Sequence, residues 1–419
     1  MNIAFLHRIW PSYGGGETVT KCLANELVKR GHNIFVVYTK KSEKYDSELD
    51  TRIVQKYIPN IAYDEKSSEF FVNKETARKV QSFIDNFISE NAIDILINQW
   101  WPVEFLTSLK NRGKVKIIKC LHMDPDTKKV LNFHGVKGQT LKLFLPLYRS
   151  LEKKKHLYSL DKYIKNSDKL VFLAPSFMDF YRKEKSNKKN IINKTDFVFN
   201  PLVYNISDSI NWDVKEKTVL FVGRLLEKHK QISRILKIWS YIETNSELDD
   251  WKLQIVGDGP DKIYYEKMIS SLNLKRVSME GYKNPLPYYK HASIFVMTSA
   301  YEGFPMALVE SLQNGVVPIA MDSYSSLHDI IQNKINGIIV GDNDIKSFYK
   351  ELVVIMKDSS KRNMMAHEGL KSCERYKVSI IVDKWEKIFK GKHSDKYIFY
   401  TLRFDCSFAA ANTIKPQLL

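Results

Sequence analysis

The chain has 419 residues, 44% of them apolar and 27% charged, with a formal net charge of +17 and a pI near 9.3. That length and apolar content exclude a disordered chain and allow two domains, each with its own core. The charge calls for an anionic partner, whether nucleic acid, an acidic membrane face or a phosphorylated small molecule. Cys22, Cys120, Cys373 and Cys406 form no CxxC or Cys/His cluster, which argues against structural zinc and points to a reducing compartment. The N-terminus, Met1-Asn-Ile-Ala-Phe-Leu-His-Arg, has no basic region ahead of its short apolar run, and no stretch approaches the roughly 20 apolar residues of a spanning helix. These features predict a cytoplasmic protein able to rest on a membrane.

In chain order, Ile3–Leu6 reads as a short apolar strand and Thr18–Lys29 as a helix closed by Gly31. The loop between them, Pro11-Ser-Tyr-Gly-Gly-Gly-Glu17, places three glycines ahead of a helix, where backbone N–H groups can face an anion. It lacks the G-x-G-x-x-G spacing of a dinucleotide fingerprint. The acid expected at the end of the second strand, Asn33–Tyr38, is missing too, since Tyr38-Thr-Lys-Lys41 stands there. Lys74–Ser89 repeats the helical period, and Ile93–Ile97, Lys116–Leu121 and Lys169–Ala174 read as buried parallel strands. His122 follows one strand end directly, either aimed into a crevice at a sugar hydroxyl or serving as a structural histidine. Asn98-Gln-Trp-Trp101 ends another strand on the same edge, on the acceptor side.

Between Leu131 and Asn200 there are fifteen Lys/Arg against six Asp/Glu, so about half of the surplus charge sits in one sixth of the chain. Within it, Lys137–Lys155 joins basic residues to a dense apolar set. Such a helix can lie on an anionic membrane or pack on its own domain. Nucleic acid fits less well, because no reading module accompanies the charge.

The second half repeats the scheme with strands Val219–Val222, Lys252–Val256, Ser293–Met297, Val316–Ala320 and Gly337–Val340, separated by helices such as Ile232–Ile242 and Asp261–Leu272. Arg224 lies just past a strand tip. Lys230 is expected to open the next helix, where a cation opposes the dipole unless an anion compensates it. Val256-Gly-Asp-Gly-Pro260 and Gly281-Tyr282-Lys283 are further strand-end turns. Ser299–Glu310 then leads from a strand into a helix ending near Gly315. Gly303 permits close backbone approach, Pro305 suits the first helical turn, and the free amides between Gly303 and Ala307 make an anion site bracketed by Glu302 and Glu310. Alone, the stretch reads equally well as a proline-started helix with one loop acid and one solvated acid.

Taken together, Gly223-Arg224-Leu225 with Lys230, Val256-Gly-Asp-Gly-Pro260, and Glu302 and Glu310 with seven residues between them resemble, in their order, a retaining GT-B glycosyltransferase of family 4 type (glycosyl transferases group 1). The resemblance covers nearly all of Val219–Val340 and, more loosely, Gly14–Gly16 and His122. It implies two Rossmann-like, doubly wound parallel-sheet α/β domains facing across a cleft. Residues 1–199 would form the acceptor-side domain and 200–376 the nucleotide-sugar domain, with 377–391 a crossover helix and 392–419 a tail without an assigned role.

Carried over by residue, the resemblance implies that Arg224 and Lys230 hold the donor diphosphate, with Lys228 in reserve because His229 stands where many members carry lysine. Glu310 would grip the ribose, and Glu302 and His122 would lie beside the transferred sugar. Gly15 and Gly16 would close over the diphosphate, Gly303, Phe304 and Pro305 would line the donor site, and Tyr282 would mark the base. No metal and no cofactor is expected. The implied reaction moves a hexose or N-acetylhexosamine from a nucleotide sugar, with UDP as the carrier, to a lipid-linked bacterial surface glycan at the cytoplasmic face of an anionic inner membrane. The alternatives are a GDP-mannose-dependent mannosyltransferase and a non-catalytic sugar-nucleotide-binding protein.

Overall fold

The computed structural model describes residues 1–12, 15–42, 49–61, 73–126, 145–185, 189–204 and 210–391. Seven strands make the first sheet: β1 (Asn2–Trp10), β2 (Asn33–Lys41), β3 (Val54–Tyr57), β4 (Ile95–Asn98), β5 (Lys116–Leu121), β6 (Lys169–Phe172) and β7 (Thr195–Phe197). Six make the second: β8 (Thr218–Val222), β9 (Lys252–Val256), β10 (Val277–Gly281), β11 (Ile294–Met297), β12 (Val317–Asp322) and β13 (Ile338–Gly341). Their orders are β3-β2-β1-β4-β5-β6-β7 and β10-β9-β8-β11-β12-β13, with every pairing parallel. The inner strands are buried runs such as Ile95–Asn98 and Ile294–Met297, because helices cover both faces of each sheet. Two doubly wound α/β domains result.

In each sheet the strand order reverses once, between β1 and β4 and between β8 and β11. At such a point neighbouring crossover helices leave on opposite faces and open a crevice at the carboxyl ends of the strands. The chain following β1 and β4 contains Gly15, Gly16 and Gln99–Trp101. After β8 and β11 come Gly223, Arg224 and Ser299–Glu310. The helix Val378–Phe389 returns to the first domain and packs on the helix Gly15–Lys29. There Arg30 reaches Asp383 at 2.5 Å and Glu386 at 3.3 Å, and His32 lies 3.0 Å from Glu386.

Three strands carry no clear sequence signal. β3 is an exposed edge strand, β10 is a half-exposed edge strand, and β7 has only three residues. β1 runs on to Trp10, further than its apolar core suggests, because His7 is itself buried in it. Part of the basic stretch Lys137–Lys155 lies outside the described residues, as does the 392–419 tail. The described helix runs over Leu145–Asn166.

One expectation needs correction. Lys230 does not open a helix but ends the single turn Glu227–Lys230, after which Gln231 takes a left-handed φ of 48° and the helix Ile232–Glu243 begins. The reversal at Gln231 separates the two helices, so the dipole argument for Lys230 falls. What distinguishes this lysine is where its side chain goes.

Candidate functional site

The second domain builds one wall from two strand ends. Past β8, Gly223 leaves room for the lysine stem: a Cβ there would stand 3.4 Å from Lys230 Cε. Lys230 Nζ then meets Glu302 Oε1 at 2.5 Å, with both side chains mostly buried (19% and 13% exposed). Thr298 fixes this turn by donating to the carbonyls of Lys230 and Gln231 at 3.3 and 2.9 Å, and Ala300 N donates to His229 O at 2.8 Å. Arg224 is exposed on the tip of β8. Burial first, and then the nearby charges of Lys228, Lys230 and Arg224, lower the pKa of His229 against the opposing pull of Glu302. The three cations therefore lie within electrostatic reach of His229.

After Glu302 the backbone approaches the opposite domain closely. A Cβ on Gly303 would lie 2.0 Å from His122 O, so no side chain fits there. Ser326 Oγ donates to Gly303 O at 2.6 Å. The helix Met306–Gln313 starts immediately behind Pro305, which is its cap residue rather than its first helical residue. The N–H groups of Met306 and Ala307 precede the first intrahelical acceptor and remain available to an anion. Further along the helix, Glu310 is held by the buried Tyr289, whose hydroxyl lies 3.1 Å from both Glu310 Oε2 and Ala307 O. Burial pushes the Glu310 carboxyl up to about 7, and the hydrogen bond from Tyr289 only partly opposes this. Tyr204 lies within electrostatic reach of both Glu310 and Tyr282.

The first domain supplies the facing wall. Gly16 lies under the indole of Trp100, where a Cβ would stand 3.0 Å from Cζ2. Gly15 faces Met306 across the cleft, 3.8 Å from its Cγ by the same measure. Trp100 stacks on His122 with ring centroids 4.4 Å apart and a 22° interplanar angle. His122 Nε2 pairs with Gln99 Oε1 at 2.5 Å. Burial, then Lys119 and His7, lower the His122 pKa to about 3, so its imidazole is neutral. From the same loop the buried Asp124 accepts from Ser325 N at 3.1 Å and from Ser325 Oγ at 2.6 Å, across the domain boundary.

The structure thus gathers Gly15, Gly16, His122, Arg224, Lys230, Glu302, Gly303, Pro305 and Glu310 around one cleft. Tyr282 stands at its margin, 62% exposed. Phe304 differs: its ring turns away into a cluster with Phe199 (5.6 Å) and Tyr376 (5.7 Å), so it can serve a ligand only through its backbone. Trp101 is also structural, fully buried with its Nε1 donating to His7 O at 2.7 Å. Sequence reasoning missed Tyr289, Lys119 and Ser325, which lie in ordinary helix, strand and loop sequence. Gln99 carried a usable signal, its place in a strand-end motif beside two tryptophans.

Chemically, two cations and free helix amides suit a diphosphate, and a neutral imidazole with nearby carboxylates suits sugar hydroxyls. Among the described residues no three His, Cys, Asp or Glu side chains gather as a metal site would require.

Comparison with known proteins bears on the family and the fold. The family "Glycosyl transferases group 1" matches residues 204–372 and "Glycosyltransferase Family 4" matches residues 13–183, together most of the chain. An alpha-1,4-N-acetyl-D-galactosaminyltransferase of Campylobacter jejuni, named for the acceptor GalNAc-alpha-(1->4)-GalNAc-alpha-(1->3)-diNAcBac-PP-undecaprenol, is 28% identical over 224 residues; the match spans 53% of this chain and 59% of that protein. The amylovoran biosynthesis glycosyltransferase AmsD of Erwinia amylovora is 25% identical over 380 residues, 90% of this chain and 95% of that one. Among solved structures, a mutant form of Staphylococcus aureus TarM, crystallised with Fondaparinux, alpha-GlcNAc-glycerol and UDP, superposes with a TM-score of 0.71 at 13% identity, covering 93% of this chain and 99% of the other.

Proposed function

The chain belongs to the family-4-type glycosyltransferases of the GT-B fold, and on that premise we propose that it moves a hexose or N-acetylhexosamine from UDP to a growing, lipid-linked bacterial surface glycan. The observation that carries this reading is the Lys230–Glu302 pair at 2.5 Å, set beside Gly303 where the backbones of both domains meet. A diphosphate leaving group develops negative charge as the glycosidic bond breaks. Lys230, Arg224 and the Met306 and Ala307 amides stabilise that charge without a divalent metal. Glu310 takes the ribose hydroxyls, while Glu302 and His122 face the transferred sugar. The sugar departs and is attacked on the same face, so its anomeric configuration is retained.

The acceptor part rests on the first domain and on the relatives. The described surface of the helix Leu145–Asn166 exposes Lys154, Lys155, Lys162 and Lys165 together with Leu151 and Tyr158, a face suited to an anionic membrane. The undecaprenol named in the Campylobacter relative and the UDP in the TarM structure point the same way. Among the described residues no helix is long and apolar enough to cross a membrane. The test is a screen of nucleotide sugars for slow acceptor-free hydrolysis. Release of free sugar from one UDP-sugar is the expected result. No hydrolysis of any donor, with no rise in melting temperature from UDP or GDP, sinks the reading.

A further inference from the structure

Beside His122, on the first-domain side of the cleft, lies a cavity of about 510 Å³ whose lining includes Trp100, His122, Tyr158, Tyr163 and Lys119. Lys119 is anomalous in this setting. It sits in the inner strand β5 with 5% of its surface exposed. Its Nζ donates to Gln99 O at 3.0 Å, lies 3.5 Å from Asn98 Oδ1, and stands 4.8 Å from the centroid of the Tyr163 ring. Gln99 and Tyr163 line the cavity too, so the ammonium lies among its lining residues.

Among the described residues no carboxylate pairs with Lys119. Glu104 is the one acid among the described residues of the cavity wall, and its field acts on Tyr163. The adjacent Cys120 thiol is pushed up to about 12 by burial and stays neutral. Burial lowers the Lys119 pKa to about 8, which leaves it mostly protonated near neutral pH. A buried cation held by a carbonyl, an amide oxygen and an aromatic face has lost its hydration without gaining a counter-ion. Arg8 and Lys162 add further positive charge to the same wall. Such a cavity favours a ligand that brings its own negative charge and presents apolar faces to aromatic rings.

We propose that this cavity is an acceptor subsite selective for a sugar or polyol bearing an oxyanion, a carboxylate or a phosphate, with Lys119 as the selecting cation. The acceptor role rests on the glycosyltransferase reading; the anion selectivity rests on the cavity itself. The donor cations Arg224 and Lys230 lie on the other domain, so the two sites can be tested separately.

The experiment is calorimetric titration of the full chain, saturated with UDP to fill the donor side, with D-glucuronate, sn-glycerol 3-phosphate, D-glucose and inorganic phosphate. At least one of the two anionic probes is expected to bind about tenfold or more tightly than glucose, and the better of them identifies the substituent class. Lys119→Met and Lys119→Gln are expected to bring that ratio within twofold of unity while binding UDP as the wild type does. Equal binding of glucose and both anions by the wild type overturns the proposal, and this holds even if neither variant folds. A preference that persists in a variant still competent for UDP also overturns it. Inorganic phosphate binding as tightly as glycerol phosphate removes the acceptor role. Failure of the wild type to bind UDP is a different outcome, one that strikes the donor assignment.

Discussion

Lys230 and Glu302 form a 2.5 Å ion pair across the ends of β8 and β11. The two residues are assigned to different parts of the ligand, the lysine to the diphosphate and the acid to the sugar, and here their charges compensate each other. An arriving diphosphate must share Lys230 with Glu302. Glu302→Ala therefore frees the lysine: UDP affinity should hold or tighten by a few-fold, while turnover falls by about 10²–10³. Titration of UDP and initial-rate assays check both halves. A loss of affinity matching that of Glu310→Ala would contradict the separate roles.

The proposed ribose role of Glu310 predicts pH-dependent donor binding. Its carboxyl is pushed up to about 7, and hydroxyls of a bound ribose would donate to its ionised form. Affinity for a UDP-sugar, which has no phosphate ionisation of its own near neutrality, should rise from pH 6 to pH 8 and then level. At pH 7 binding should release protons. Glu310→Gln should weaken binding and flatten the profile. The stability sign follows from the same shift. The native carboxyl holds its proton more tightly than the unfolded one, so Glu310 costs stability progressively as pH rises from about 4.5 through about 7. Glu310→Gln should accordingly raise the melting temperature at pH 8 relative to wild type and leave it nearly unchanged at pH 4. An affinity independent of pH in the wild type would remove the ribose role.

Gly303→Ala should abolish activity by parting the domains. Its Cβ would fall 2.0 Å from His122 O, a backbone atom that cannot turn aside. Gly16→Ala meets the Trp100 side chain at 3.0 Å, which can shift. Turnover should fall by more than about 100-fold in the first case and by less than about tenfold in the second, with both variants folded by circular dichroism. The reverse ranking would mean that the cleft is not held this closely during catalysis.

Asp124 and Ser325 fasten the two domains beside the site. Hydrogen bonds to a buried carboxylate contribute roughly 1.5–3 kcal/mol. Asp124→Ala and Ser325→Ala should each lower turnover about five- to twentyfold, and the double variant should be little worse than either alone. A cycle in which the two losses simply multiply would show that the residues act independently.

Most of the architecture was legible because parallel sheets write themselves as buried apolar runs. β5, β9 and β11 are marked in this way, and the glycine-rich or charged turns after strands marked the cleft. Residues placed by tertiary packing were not legible. The Phe304 ring goes to Phe199 and Tyr376, which arrive from about one hundred residues upstream and seventy downstream. Lys230 read as a helix start because nothing in Lys-Gln-Ile announces that Gln231 turns left-handed. Tyr289 sits in Leu-Pro-Tyr-Tyr, where periodicity speaks only of burial, and Lys119 in Ile-Ile-Lys-Cys-Leu, where a strand-centre lysine gives no hint of what surrounds it. Single polar residues inside apolar elements were the weakest signals in the sequence: Tyr289 holds Glu310, and Lys119 lines the neighbouring cavity.

The donor assignment is tested most directly by titrating UDP into the wild type and into Arg224→Ala, Lys230→Met and their combination. Charge-assisted contacts to phosphate predict a loss of about 10- to 100-fold for each single variant and more for the pair. Unchanged UDP affinity in the double variant, or no UDP binding by the wild type at all, would contradict the claim that this cleft holds a nucleotide sugar through those two cations.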